Sequence, residues 1–121
     1  MNLHFSRQRL RFSSVAPMAL LLVSALLALP SHAADDAAQM LLGKKLFTTA
    51  VPACAVCHTL KDAGAEGAVG PVLDEIKPDA NRVARALRDG LGNMPSYKAS
   101  LSEDQIAALA RYVSRASGGQ K

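Results

Sequence analysis

The apolar positions of this chain fall into blocks with different spacing. The first is nearly unbroken. Val15 to Leu29 is apolar except where Pro17 and Ser24 interrupt it; it follows a head carrying Arg7, Arg9 and Arg11, and it closes with Pro30-Ser31-His32-Ala33. A basic head, a short apolar run and a small-x-small ending make a secretory signal peptide. Residues 1–33 are therefore expected to be cut off after Ala33 and the product exported, leaving residues 34–121 as one domain. A spanning helix needs about 20 apolar residues, more than this run supplies, so no membrane anchor is expected after cleavage.

Beyond Ala33 the spacing becomes helical. Asp35-Asp36 leads into an apolar run ending at Phe47, with Gln39 three residues after Asp36 as in a capping box. Gly43 inside this helix is destabilising unless something packs close against it. A short helical turn is expected from Leu73 to Ile76. A clearer helix runs from about Asp79 or Ala80 to Asp89, with Val83, Ala86 and Leu87 on one face and Gly90 as its stop. The last helix carries the strongest signals: Ser102 and Gln105 as a capping box, Leu101 and Ile106 as a hydrophobic staple, and Ile106, Leu109, Ala110 and Val113 as a buried stripe. No alternating strand pattern and no repeat occurs, so the fold class read here is all-α. Residues 48–78 are long for a structureless connection, and something must organise them.

Charge changes the picture once the leader is removed. The whole chain has 14 Lys and Arg against 10 Asp and Glu, but three of those arginines precede Ala33, so the remainder is close to neutral. With no basic tract left, nucleic-acid binding is excluded as a reading. The remaining domain has only Phe47, Tyr97 and Tyr112 as aromatics, no Trp and many alanines. A core this poor usually needs a staple, a metal or a large cofactor.

Cys54-Ala55-Val56-Cys57-His58 supplies a candidate. Two cysteines three positions apart with histidine next suit addition of both thiols to the haem vinyl groups while the imidazole reaches the iron. Three other chemistries use cysteine pairs. A thioredoxin-like redox pair needs a βαβ pattern, which is missing. Structural zinc needs four ligands, yet these are the only cysteines and His58 is the only histidine after Ala33. A plain disulfide fits an exported chain but leaves His58 without a role.

A sixth iron ligand decides between electron transfer and chemistry on a small molecule. Met94 is the candidate, standing in the loop Gly90-Leu91-Gly92-Asn93-Met94-Pro95; the other methionine after Ala33, Met40, precedes the cysteines. Methionine also serves as core filler, and both readings stand at this point. Pro71, after Gly70, lacks an N–H but keeps a carbonyl that can accept from His58 Nδ1–H and orient the ring. An ordinary Gly-Pro turn is the alternative.

The whole chain after Ala33 resembles a small bacterial class I c-type cytochrome, through Gly43–Phe47, Cys54-x-x-Cys57-His58, Gly70-Pro71-x-Leu73, the loop carrying Met94-Pro95 and Tyr112. The resemblance implies a cytochrome c-like fold of three to four helices around one covalent haem c. It also implies crossing first and last helices, with Gly43 and Phe47 against Leu109 and Tyr112, and roles for Pro71 and Met94. The segments Val51–Pro71 and Met94-Pro95-Ser96-Tyr97 are similar to the haem subunits or electron acceptors of periplasmic sulfite dehydrogenases, which are molybdenum enzymes. That implies a periplasmic dehydrogenase as donor and a downstream cytochrome or oxidase as acceptor.

Two functions are expected to compete. In one, a non-enzymatic electron carrier has both axial positions filled, by His58 and Met94. In the other, a ligand-binding or peroxidase-like protein has an open distal side, although no second histidine is present after Ala33 to act there. Arg82, Arg85 and Arg88 form either a docking row for an acidic partner or a solvated helix face. One of them, or Lys77, is also available to a haem propionate.

Overall fold

The computed structural model describes residues 31–119. The expected signal peptide lies outside the described residues apart from its last three. The helix α1 runs Ser31–Thr49. Gly43, Leu46 and Phe47 are its buried residues, with Ala50 just beyond its end, a three-and-four spacing that sets one stripe against the core. Asp36 does not cap this helix as expected but lies within it. Its carboxylate accepts instead from Arg111 at 2.9 Å and from Arg115, and these cations hold it below the usual carboxylate range. Local spacing suggested the cap; long-range partners took the carboxylate.

The segment between α1 and residue 80 is more ordered than its sequence suggests. It holds α2 (Cys54–Cys57), β1 (Thr59–Leu60), a 3₁₀ turn (Lys61–Ala63), β2 (Ala65–Glu66) and α3 (Leu73–Ile76). The two strands pair antiparallel, Thr59 with Glu66 and Leu60 with Ala65. At two residues each they are too short to show alternation, and the fold remains helical. Leu60 and Ala65 face inward at this pair.

Helices α4 (Ala80–Asp89) and α5 (Glu103–Ser117) form where their signals stand. Asp79 caps α4 by accepting from Arg82 N at 2.8 Å. The α5 box is reciprocal: Ser102 Oγ accepts from Gln105 N at 3.2 Å, and Gln105 Oε1 from Ser102 N at 2.9 Å. Gly118 ends α5 in the left-handed region at φ 80°, where a side chain would be strained. Ile106 and Leu109 are fully buried, and Val113 nearly so.

Helices α1 and α5 cross at Gly43. A Cβ there would collide with the Ala108 carbonyl and Tyr112 Cβ, so the glycine that weakens the isolated helix is what lets the two backbones meet. One turn on, the Phe47 and Tyr112 rings pack edge to face with centroids 6.2 Å apart. Gly43→Ala is expected to destabilise by about 1–3 kcal/mol through overpacking, lowering the thermal midpoint by on the order of 10 °C. An unchanged melting curve would show that the crossing has slack.

All three aromatics among the described residues are buried, and two have hydroxyls with partners. Tyr112 donates to Asp62 Oδ1 at 2.6 Å, and Lys44 Nζ lies 3.1 Å from the same oxygen. This ties α1 and α5 to the 3₁₀ turn. The Tyr112 hydrogen bond and then Lys44 hold the Asp62 carboxyl below its usual range. Because the folded value is depressed, the stabilisation is present above the unfolded value near pH 3.8 and is lost as pH falls through the folded one. With Lys44 and Asp62 each about half exposed, the contribution is about 1 kcal/mol at most. Asp62→Asn should therefore be less stable than the parent at pH 6, with the gap closing as pH falls below 3.8 in urea titrations.

Candidate functional site

A cavity of about 320 Å³ opens between the attachment segment, α3, α4 and the loop after it. Phe47, Leu73, Leu87, Leu109 and Val113 form its floor, and Arg82 is the only Asp, Glu, Lys or Arg among its described lining residues. All five sequence-selected residues reach it: Cys54, Cys57, His58, Pro71 and Met94.

The attachment segment is held by its own backbone. Cys54 to Cys57 make one helical turn, closed by His58 N donating to Cys54 O at 2.9 Å, which brings both cysteines and the histidine to one wall. The loop 64–71 then wraps this turn. Gly70 N donates to Cys57 O at 2.7 Å, and Thr59 Oγ1 to Gly67 O at 2.9 Å. Contact is so close that a Cβ at Gly67 would stand 2.6 Å from His58 N, and one at Gly70 2.8 Å from His58 Nδ1.

His58 Nδ1 lies 2.9 Å from Pro71 O. A carbonyl only accepts, so Nδ1 carries the hydrogen and donates, leaving the Nε2 lone pair free for a metal. Cys54 and Cys57 are not joined in a disulfide here, and burial pushes the Cys54 thiol up. Among the described residues no group of three or more His, Cys, Asp or Glu side chains is placed to hold a metal ion.

Met94 enters from the other chain segment. Leu91 and Met94 exchange backbone hydrogen bonds of 3.0 Å each across Gly92-Asn93, with Gly92 at φ 58°. The side chain is half-buried and packs against the core while lining the cavity. Around the mouth Val69 and Leu91 are exposed at 74% and 72%, an apolar rim without acids.

The arginine row divides. Arg82 lines the cavity, whereas Arg88 is committed to Glu103, with Nη2 and Nε at 2.6 and 2.9 Å from one oxygen. Lys77 caps α3 in the left-handed region and is not among the lining residues. Two groups escaped the sequence reading. Tyr97, buried at 3% exposure, donates to Pro52 O at 2.7 Å, and Arg82 was not separated from its neighbours. Burial, and then Cys54 beside it, pushes the Tyr97 hydroxyl up to about 12, so it stays a proton donor at ordinary pH.

A flat apolar group with acidic substituents suits this cavity. Its lining is apolar with a single cation, its wall presents two thiols, and its imidazole keeps one nitrogen available. These are the requirements of covalent haem, and they define a c-type cytochrome. Residues 38–113 match the family described as "Cytochrome C oxidase, cbb3-type, subunit III", and the chain belongs to that cytochrome c family. It is 48% identical to the c-type cytochrome SorU from Sinorhizobium meliloti, over 66% of this chain and 92% of that one, with a TM-score of 0.64. A search of the curated proteins finds no match. The cofactor is accordingly haem c, and Cys54-x-x-Cys57-His58 fits its attachment signal.

Proposed function

We propose that this cytochrome is a periplasmic single-electron carrier with one haem c bound through Cys54 and Cys57 and with iron held by His58 and Met94. Bound haem supplies a one-electron couple at its iron. The protein's part is to keep the iron six-coordinate, to fix the imidazole and to exclude water. The observation that carries this reading is that His58, with its Nε2 left free by Pro71, and Met94 line the same cavity from different segments. Pro71 orients the ring and raises its basicity through Nδ1–H. Arg82 offers the propionates a cation.

Export by cleavage after Ala33 supplies the compartment and would remove the first three residues of α1. No described helix is long and apolar enough to cross a membrane. The loop segments that resemble sulfite dehydrogenase partners, Val51–Pro71 and Met94–Tyr97, support a sulfite dehydrogenase as electron donor. The likeness to SorU supports a small c-type cytochrome in this role. Electrons then leave to a downstream cytochrome or oxidase, over the apolar rim formed by Val69 and Leu91.

The test is the optical spectrum of the protein matured with its haem. A low-spin reduced spectrum together with a weak far-red sulfur-to-iron band in the oxidised form is the expected result. A high-spin spectrum that shifts with carbon monoxide would instead establish an open iron and a ligand-binding protein. Rapid mixing with a reduced sulfite dehydrogenase addresses the donor separately, since a slow, non-saturating reduction would remove that assignment while leaving the ligation intact.

A further inference from the structure

The loop from Gly90 to Leu101 hangs from α4. Gly90 N donates to Ala86 O at 2.9 Å, Tyr97 N to Leu87 O at 2.7 Å, and Ser96 Oγ to Arg88 O. None of these contacts reaches the wall that carries Cys54, Cys57 and His58. Among the described residues, one hydrogen bond joins this loop to residues 50–60: the Tyr97 hydroxyl donating to Pro52 O at 2.7 Å, across 45 positions of sequence. Tyr97 stands three residues after Met94, its ring is 3% exposed, and it lines the cavity beside Cys54.

We propose that Tyr97 is a positioning residue, whose hydroxyl ties the Met94 loop to the attachment segment and so holds the methionine sulfur in place over the cavity. The inference rests on Met94 being the sixth ligand. A loop held at α4 and where it enters α5 at Ser102 can still shift relative to the opposite wall. A second anchor on the opposite wall removes that freedom, so the thioether would give up less on binding the iron of a bound haem. The effect is specific to the hydroxyl, because phenylalanine would keep the buried ring and its packing.

Imidazole, which competes with methionine for ferric iron, is the probe. It is titrated into the holoprotein and into Tyr97→Phe, Met94→Ala and the double variant, followed in the visible spectrum. Tyr97→Phe is expected to bind imidazole about fivefold more tightly, the effect of losing one net hydrogen bond, and to show a weaker far-red band at neutral pH. In the Met94→Ala background the same change should have no effect, since there is no longer a sulfur to hold. An equal gain in both backgrounds would mean that Tyr97 merely restricts entry, and no gain in either would mean that it only packs; both overturn the proposal. Met94→Ala binding imidazole no better than the parent would overturn the ligation reading itself, an outcome recognisable without Tyr97→Phe.

Discussion

Met94→Ala is expected to lower the midpoint potential by on the order of 0.2 V, a fraction of the roughly 0.8 V that axial ligation spans. The same variant should bind carbon monoxide when reduced, which the parent should not. The sign follows from the thioether, since Met/His ligation raises the potential of c-type haem. The size follows from the site: Met94 lines the cavity from a glycine-flanked loop, and among the described residues no other methionine or histidine lines it except His58. An empty position or water is then what alanine leaves, with no protein group ready to replace the sulfur. A variant with unchanged potential and no response to carbon monoxide would sink the ligation proposed above.

The second large effect is on folding. Cys54→Ser combined with Cys57→Ser should yield a chain that carries no haem through denaturing electrophoresis, and its helical circular dichroism should be largely lost. The cavity measures about 320 Å³; left unfilled, at ~24 cal/mol per Å³ that is up to about 8 kcal/mol, set against a typical total of about 5–15 kcal/mol. Water entering the mouth reduces this upper bound but cannot supply the lost apolar contacts of Phe47, Leu87 and Leu109. Full helicity in the double serine variant would show that the helices hold one another without the cofactor.

Much of this could be read from neighbouring residues, and the exceptions share a cause. The α5 cap, the α4 cap at Asp79 and the turn Cys54–Cys57 with His58 are contained within a few positions, so their geometry follows from local chemistry. Asp36 was misread because Arg111 and Arg115 compete for its carboxylate from the far end of the chain. Tyr97 escaped notice because its acceptor is the backbone of Pro52, which has no signature in any side chain. The arginines at 82, 85 and 88 looked alike in sequence, and only the positions of the cavity and of Glu103 distinguish the first from the last. The short β1–β2 pair had too few residues for a period to show.

The crossing at Gly43 also sets an order of events during synthesis. Its partners, Ala108 and Tyr112, are made long after it. At about 5–20 residues per second, α1 waits roughly 3–14 s for the surface it packs against. During that interval Cys54, Cys57 and His58 already exist, while the helix that will close the floor beneath them does not. A fold whose helices α1 and α5 depend on each other thus stays open until α5 has been made. The two thiols therefore have no closed floor beneath them until α5 has been made.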